Sequence, residues 1–285
     1  MTQFKFLIKQ VVKSHKNLLL LLISFMVISG VYAYNKQQIL NVRQYHQINL
    51  RVLEYAVEDL SEDTTICIES LKIKVDLSKR ILSEEDFNLI YDCSIRSINI
   101  DLEEGIGNKP ELLLEKEYLR HLKSHQLEYD SYTHPTSAIS FTYWVMTEHL
   151  VFLVILSLIF ILSRQFTFKF KNQLHIFKFI SPKQNIGRLE ILLGVVMGLM
   201  ILFIMMLFSF ILSYYFEGLG SFLYPFLIED EFIMIAQLIG PSFIVIFVLI
   251  MIVVIILYVL AMVFKDRNKV LMVALGLLVV ALNIL

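Results

Sequence analysis

The stretch SFIVIFVLIMIVVIILYVLAMVF, Ser242–Phe264, runs for 23 residues without a charge, a glycine or a proline. A bilayer core of about 30 Å is crossed by about 20 helical residues. Inside lipid the backbone must satisfy its own hydrogen bonds, so an apolar run of this length reads as a transmembrane helix. Outward from it the pattern recurs at Asn17–Tyr34, Tyr143–Ser163 and Leu189–Phe216, with Val270–Leu285 as a shorter fifth run of 16 residues. Composition agrees. Hydrophobic residues are 57% and charged residues 18% of the chain, with a mean hydropathy of +0.68. A soluble domain carries about 45–50% apolar and about 25% charged residues, so the excess has no aqueous home. With 10 Gly, 5 Pro and 2 Cys among 285 residues, collagen and disulfide-scaffold classes are excluded as well.

The net charge of −1 hides a strong alternation. The N-terminal tail, Arg164–Glu190 and Lys265–Lys269 together hold 13 Lys or Arg against two acids, while Asn35–Thr142 holds 12 bases and 19 acids and Glu217–Glu231 holds four acids and no base. Bases stay on the cytoplasmic side. The predicted fold class is therefore an all-α polytopic membrane protein of the cytoplasmic (plasma) membrane, with five transmembrane helices and the N-terminus inside. Residues 1–35 form the basic tail and first helix, 36–142 an extracytoplasmic domain, and 143–285 helices two to five around a cytoplasmic segment at 164–190. The basic start and Val31-Tyr32-Ala33 also resemble a cleavable signal peptide; the polar, helix-like continuation after Tyr34 favours an uncleaved span.

The 36–142 region has a soluble domain's composition. Ile39, Leu40, Val42, Tyr45, Ile48, Leu53 and Ala56 recur at roughly helical spacing, so the first span is expected to continue as an amphipathic helix. Ser83-Glu84-Glu85-Asp86 marks a second helix start and Pro110 a third. Leu71, Ile73, Val75 and Leu77 alternate with polar residues, which predicts a strand. The domain is thus expected to be mostly helical with two or three strands. Cys67 and Cys93 both fall in it, where a disulfide is permitted; two free thiols are the alternative. His121 and His125 stand four apart on one helix face near Glu117, but nothing is spaced to complete a zinc site, and no metal is expected. Ser221–Ile228 and Phe232–Ile239, too short to span, are expected at the outer interface.

The cytoplasmic segment reads RQFTFKFKNQLHIFKFISPKQNIGRLE, Arg164–Glu190. Its Phe166, Phe170, Phe177 and Phe179 alternate with Lys171 and Lys178, too apolar a pattern for a free loop. It calls for a covering surface, either membrane lipid or a protein. Nucleic acid is not implied, because no binding fold accompanies the bases.

A span, this polar-amphipathic stretch, Ser181-Pro182, a basic residue and a long span from Leu189 resemble the permease subunits of ABC-2-type ABC transporters. The Phe264–Lys269 link is similar to that family's turn between its fourth and fifth spans. The resemblance covers residues 143–285 and the first span. It implies that 164–190 is the coupling segment that docks on a separate ATPase subunit, that a second permease copy or paralogous permease completes the transporter, and that ATP binds the partner, leaving this chain without a cofactor. The family usually adds a re-entrant outer hairpin and a sixth span, whereas this sequence stops at Leu285; an atypical, truncated or externally completed subunit is expected. A second resemblance, to FtsX/MacB-like permeases, rests on the outer domain after the first span and on Leu174–Ile186 with Glu190.

Gly194 and Gly198 allow close helix approach, within the subunit or between subunits. Glu148 and His149 lie near the outer end of the second span, facing a translocation path or reaching the interface. No phosphate loop, His-Glu-x-x-His or Gly-x-Ser-x-Gly occurs, so the chain is not expected to be an enzyme. The expected function is movement of a peptide or lipid-like substrate. A membrane receptor, immunity or scaffold protein that binds a ligand through 36–142 is the alternative.

Overall fold

The computed structural model describes residues 15–38, 42–59, 65–84, 86–171, 186–228 and 231–284. The elements, in order, are α1 (His15–Gln38), α2 (Val42–Asp59), α3 (Thr65–Ser83), α4 (Phe87–Glu104), α5 (Lys109–Ser124), α6 (Ala138–Val145), a π-helical turn (Met146–Leu150), α7 (Val151–Lys171), α8 (Ile186–Glu217), β1 (Pro225–Ile228), β2 (Glu231–Met234), α9 (Ile235–Phe264) and α10 (Arg267–Ile284). They fall into two compact units. One, apolar, takes the described parts of Met1–Val31, Thr142–Leu212 and Ile239–Leu285; the other, polar, takes those of Tyr32–Phe141 and Ser213–Leu238.

Four helical runs are long and apolar enough to cross a membrane: Leu18–Gln38, Ala138–Thr167, Gly187–Glu217 and Ile235–Phe264. By the length and composition of these helices the chain is an all-α membrane protein. The fifth apolar run forms α10, whose 18 residues begin with Arg267, Asn268 and Lys269, and it is not among the four. An 18-residue window of the Ala138–Thr167 run is 61% buried against 22% for one of Ile235–Phe264, so the former run supplies more of the packed interior. α10 packs on α7. Phe25 of α1 stacks on Phe208 of α8 with ring centroids 4.3 Å apart. The two glycines of α8 explain how tightly α7 and α9 approach. A Cβ at Gly194 would lie 2.7 Å from Val254 Cγ1 and 3.3 Å from Leu162 Cδ1. One at Gly198 would lie 2.7 Å from Ile250 Cγ2 and 3.1 Å from Leu158 Cδ1. In lipid, where apolar side chains gain nothing by leaving water, such close contact supplies the association energy.

In the polar unit, α2 packs on α3, α3 on α4 and α4 on α5. The strand predicted at Leu71–Leu77 is instead the middle of α3. Lys74, Leu77, Ser78 and Ile81 are buried at helical spacing, so the 3.6-residue period of the packed face outweighs the local alternation. The start signals fare better. The Asp86 carboxylate accepts the Asn88 N–H at 2.9 Å and caps α4, which ends at Gly105 in the left-handed region (φ +67°). Pro110 sits in the first turn of α5. α1 ends its described part at Gln38 and α2 begins at Val42; the expected continuation of the first span falls on 39–41, outside the described residues.

The two short apolar pieces near the acidic tip supply a hairpin, and the second also supplies the start of α9. Pro225–Ile228 and Glu231–Met234 pair antiparallel, Pro225 opposite Met234 and Ile228 opposite Glu231, and belong to the polar unit. Among the described residues this hairpin is the only sheet. Phe232 lies against Tyr118 at 5.4 Å and edge-on to Tyr132 at 5.6 Å, which leaves it half-buried.

Candidate functional site

The polar unit holds a partly open cavity of about 410 Å³ between α2, α3, α4 and α5, with Tyr129 also in its lining. Small-molecule sites occupy about 300–1,000 Å³ and combine apolar walls with a few convergent polar groups. Here Leu53, Leu71, Ile98, Leu112 and Leu119 supply the walls. Each helix adds a titratable side chain: His46 from α2, Lys74 from α3, Asp101 from α4 and Glu115 from α5.

These groups sit on the inward helix faces, where apolar residues are the rule. Lys74 is only 4% exposed, and its Nζ donates to Asp101 Oδ1 at 2.6 Å and Glu104 Oε2 at 3.1 Å. Burial pulls this ammonium down, but the two carboxylates together outweigh it and leave Lys74 above its ordinary range. A hydrogen bond from Ser70, with Lys74 behind it, overcomes burial to hold Glu104 below its usual range. His46 is 6% exposed with Nδ1 3.2 Å from Ser78 Oγ, and burial lowers its pKa to about 4 despite Asp101, so the ring is neutral at physiological pH. Burial pushes the Glu115 carboxyl above the usual carboxylate range, and the Asp101 charge adds to this.

A second buried polar knot lies at 127–137. Asp130 accepts the N–H groups of Thr136 at 2.9 Å and Ser137 at 3.1 Å, and the Ser137 hydroxyl at 2.6 Å. Burial raises its carboxyl above the usual range, against these hydrogen bonds, which lower it. Gly220, at φ +72°, passes so close that a Cβ there would collide with Ser137 Oγ. With all its donors supplied from within, the knot reads as architecture.

The residues singled out from sequence are scattered. Phe166 is 2% exposed in α7 and edge-on to Tyr258 of α9 at 5.4 Å, so it serves the packing of its own unit. Phe170 and Lys171 end α7, but their side chains lie outside the described residues, as do Phe177, Lys178 and Phe179 altogether. Glu148 and His149 occupy the π-helical turn, Glu148 exposed and His149 edge-on to Trp144 at 5.0 Å. Such single turns interrupt an α-helix at an energetic cost and are common at functional positions. Cys93 is a free, half-buried thiol whose pKa is raised by burial; the side chain of Cys67 lies outside the described residues. His121 and His125 stack at 6.5 Å, and among the described residues no cluster of three metal-ligating side chains occurs. The cavity is what sequence reasoning missed. Its signal was Glu115 and Lys74 falling in register with Leu112 and Leu119, and with Leu77 and Ile81.

No known family matches the chain, and no curated protein or solved structure does either.

Proposed function

We propose that this chain is the membrane-embedded permease subunit of an ABC transporter, of ABC-2 type ahead of FtsX-like type, driven by a separate ATPase. The observation that carries this reading is the base- and phenylalanine-rich segment joining α7 to α8, between two helices each long enough to cross a membrane. Phenylalanines interleaved with lysines need a partner surface, and buried aromatics are the usual anchors of one. The rest of the reading follows the charge alternation. The membrane is the plasma membrane, the N-terminus and 164–190 are cytoplasmic, residues 36–142 lie outside, and α10 completes a fifth span. The substrate is a peptide or lipid-like molecule.

Replacing Phe177 and Phe179 by Ser tests this. Recovery of the ATPase with the permease should fall while membrane insertion is kept; undiminished recovery sinks the docking role. A reporter active only in the cytoplasm should be silent after Tyr129 and active after Gln173. The competing reading, a membrane receptor, immunity or scaffold protein, draws on the cavity among α2–α5. Purification of the intact protein without any ATPase favours it.

A further inference from the structure

The four titratable groups of the cavity do not balance. Among the described lining residues Lys74 is the sole cation, and Asp101 and Glu104 already occupy it at 2.6 and 3.1 Å. His46 is neutral and its Nδ1 is engaged with Ser78. Glu115 is left over. It is half-buried on the face of α5 that also carries Leu112, Leu119 and Leu122, it lines the cavity, and among the described residues no hydrogen bond or ion pair reaches its carboxyl group. A half-buried carboxylate with no partner gives up part of its hydration without compensation, which Leu or Ile at the same place would not. Such a misfit inside a cavity marks a binding group.

We propose that this cavity binds an organic ammonium ion carried on an apolar body, with Glu115 as its counter-ion and Tyr45 and Tyr129 flanking the charge. The sign follows from the charges that line the cavity: an anion would meet Asp101 and Glu115 with Lys74 already taken, and a neutral ligand would leave Glu115 unpaired. Tyrosine faces attract a cation and tolerate its apolar body. The body is implied by the walls and by the cavity mouth, where Tyr45 is 50% and Val52 63% exposed. These two continue as a strip of exposed apolar side chains with Ile48 and Tyr55 along α2. The inference does not rest on the transporter reading, since the cavity lies wholly within the polar unit.

The test uses the intact protein in lipid nanodiscs, with hydrogen exchange read by mass spectrometry over α2–α5. The probes share one body and differ in charge: phenethylammonium, phenethyl alcohol and phenylacetate. Phenethylammonium should slow exchange in α2, α4 and α5 saturably, with the alcohol and the carboxylate weaker by about tenfold or more, as expected for loss of a desolvated charge pair. Glu115→Gln should lose that preference by about the same factor, and Glu115→Asp should keep part of it. Equal protection by the alcohol, preference for the carboxylate, or no protection by phenethylammonium overturns the proposal. If Glu115→Gln raises exchange uniformly through unfolding, the ranking of the three probes on the wild type decides alone.

Discussion

Tyr224 donates its phenolic hydrogen to the backbone carbonyl of Glu128 at 2.8 Å, across 96 positions of sequence. Tyr91 does the same to Leu127 at 2.7 Å, and Tyr118 to Asp130. Three tyrosines thus satisfy three carbonyls of one four-residue stretch that has no helix or strand to do so. The Tyr224 bond fixes the β1–β2 region to the helical domain and explains why Ser213–Leu238 belongs to the polar unit.

Tyr224→Phe should therefore cost about 0.5–1.5 kcal/mol, the net worth of one hydrogen bond in a part-buried setting. Hydrogen exchange of the intact protein should quicken over residues 125–137 and β1, and leave α8 and α9 unchanged. Unaltered exchange at 125–137 refutes this account of the loop.

The glycines predict effects of opposite sign. Gly194→Leu inserts a side chain where even a Cβ comes within 2.7 Å of Val254, and overpacking of this kind costs about 1–3 kcal/mol. Gly276 of α10 has nothing within 4 Å, so Gly276→Ala should stabilise by up to about 1 kcal/mol through helix propensity alone. Thermal midpoints in detergent should move down for the first and up for the second. A fall for both would place an unseen neighbour against α10.

The membrane helices were the legible part of this sequence, because an uncharged run such as Ser242–Phe264 has one physical solution in lipid. Chain ends of helices were legible where a single residue decides them, as at Asp86 and Pro110. The α3 helix was not. Residues 71–77 alternate in polarity over a window too short to separate a period of 2 from one of 3.6, and only burial of Lys74 and Ser78 against α4 and α2 resolves it. The β1–β2 hairpin was illegible because four-residue strands carry no measurable period. The cavity was missed for a different reason. Glu115 and Lys74 read as ordinary exposed charges until their helices are placed side by side.

Lys74 and Lys79 offer a contrast on one helix. Lys74 is buried and bridges two carboxylates, whereas the Lys79–Glu54 pair at 2.9 Å has side chains 57% and 43% exposed. Exposed pairs contribute about 0–1 kcal/mol, while removing Lys74 leaves two part-buried carboxylates, 25% and 22% exposed, without their shared cation, a cost above that range and below the about 3–5 kcal/mol of a fully buried pair. Lys74→Met should lower the unfolding midpoint of the polar unit well below that of Lys79→Met. Equal midpoints would mean that Asp101 and Glu104 are hydrated as readily as Glu54.

His46 sets a pH dependence with a definite sign. Its folded pKa of about 4 lies below the ordinary value of 6.5, because the buried ring is held neutral. Above pH 6.5 neither state takes up the proton and the fold has its full stability. As pH falls from 6.5 toward about 4, the unfolded chain is protonated and the folded chain is not, so stability declines. By linkage the loss approaches about 3 kcal/mol at the lower end. Glu115 and Asp130 act in the opposite sense, since their raised carboxyls favour the folded state as pH drops. The charges facing His46 from the packed helices, Lys74, Asp101 and Glu115, are present in both proteins when wild type is compared with His46→Gln, so the difference isolates the ring. Hydrogen exchange over α2 and α3, followed between pH 7 and pH 4 after correction for the intrinsic exchange rate, should show protection falling in the wild type relative to the variant. Parallel pH courses for the two proteins would mean that His46 is protonated as readily in the folded chain as in the unfolded one.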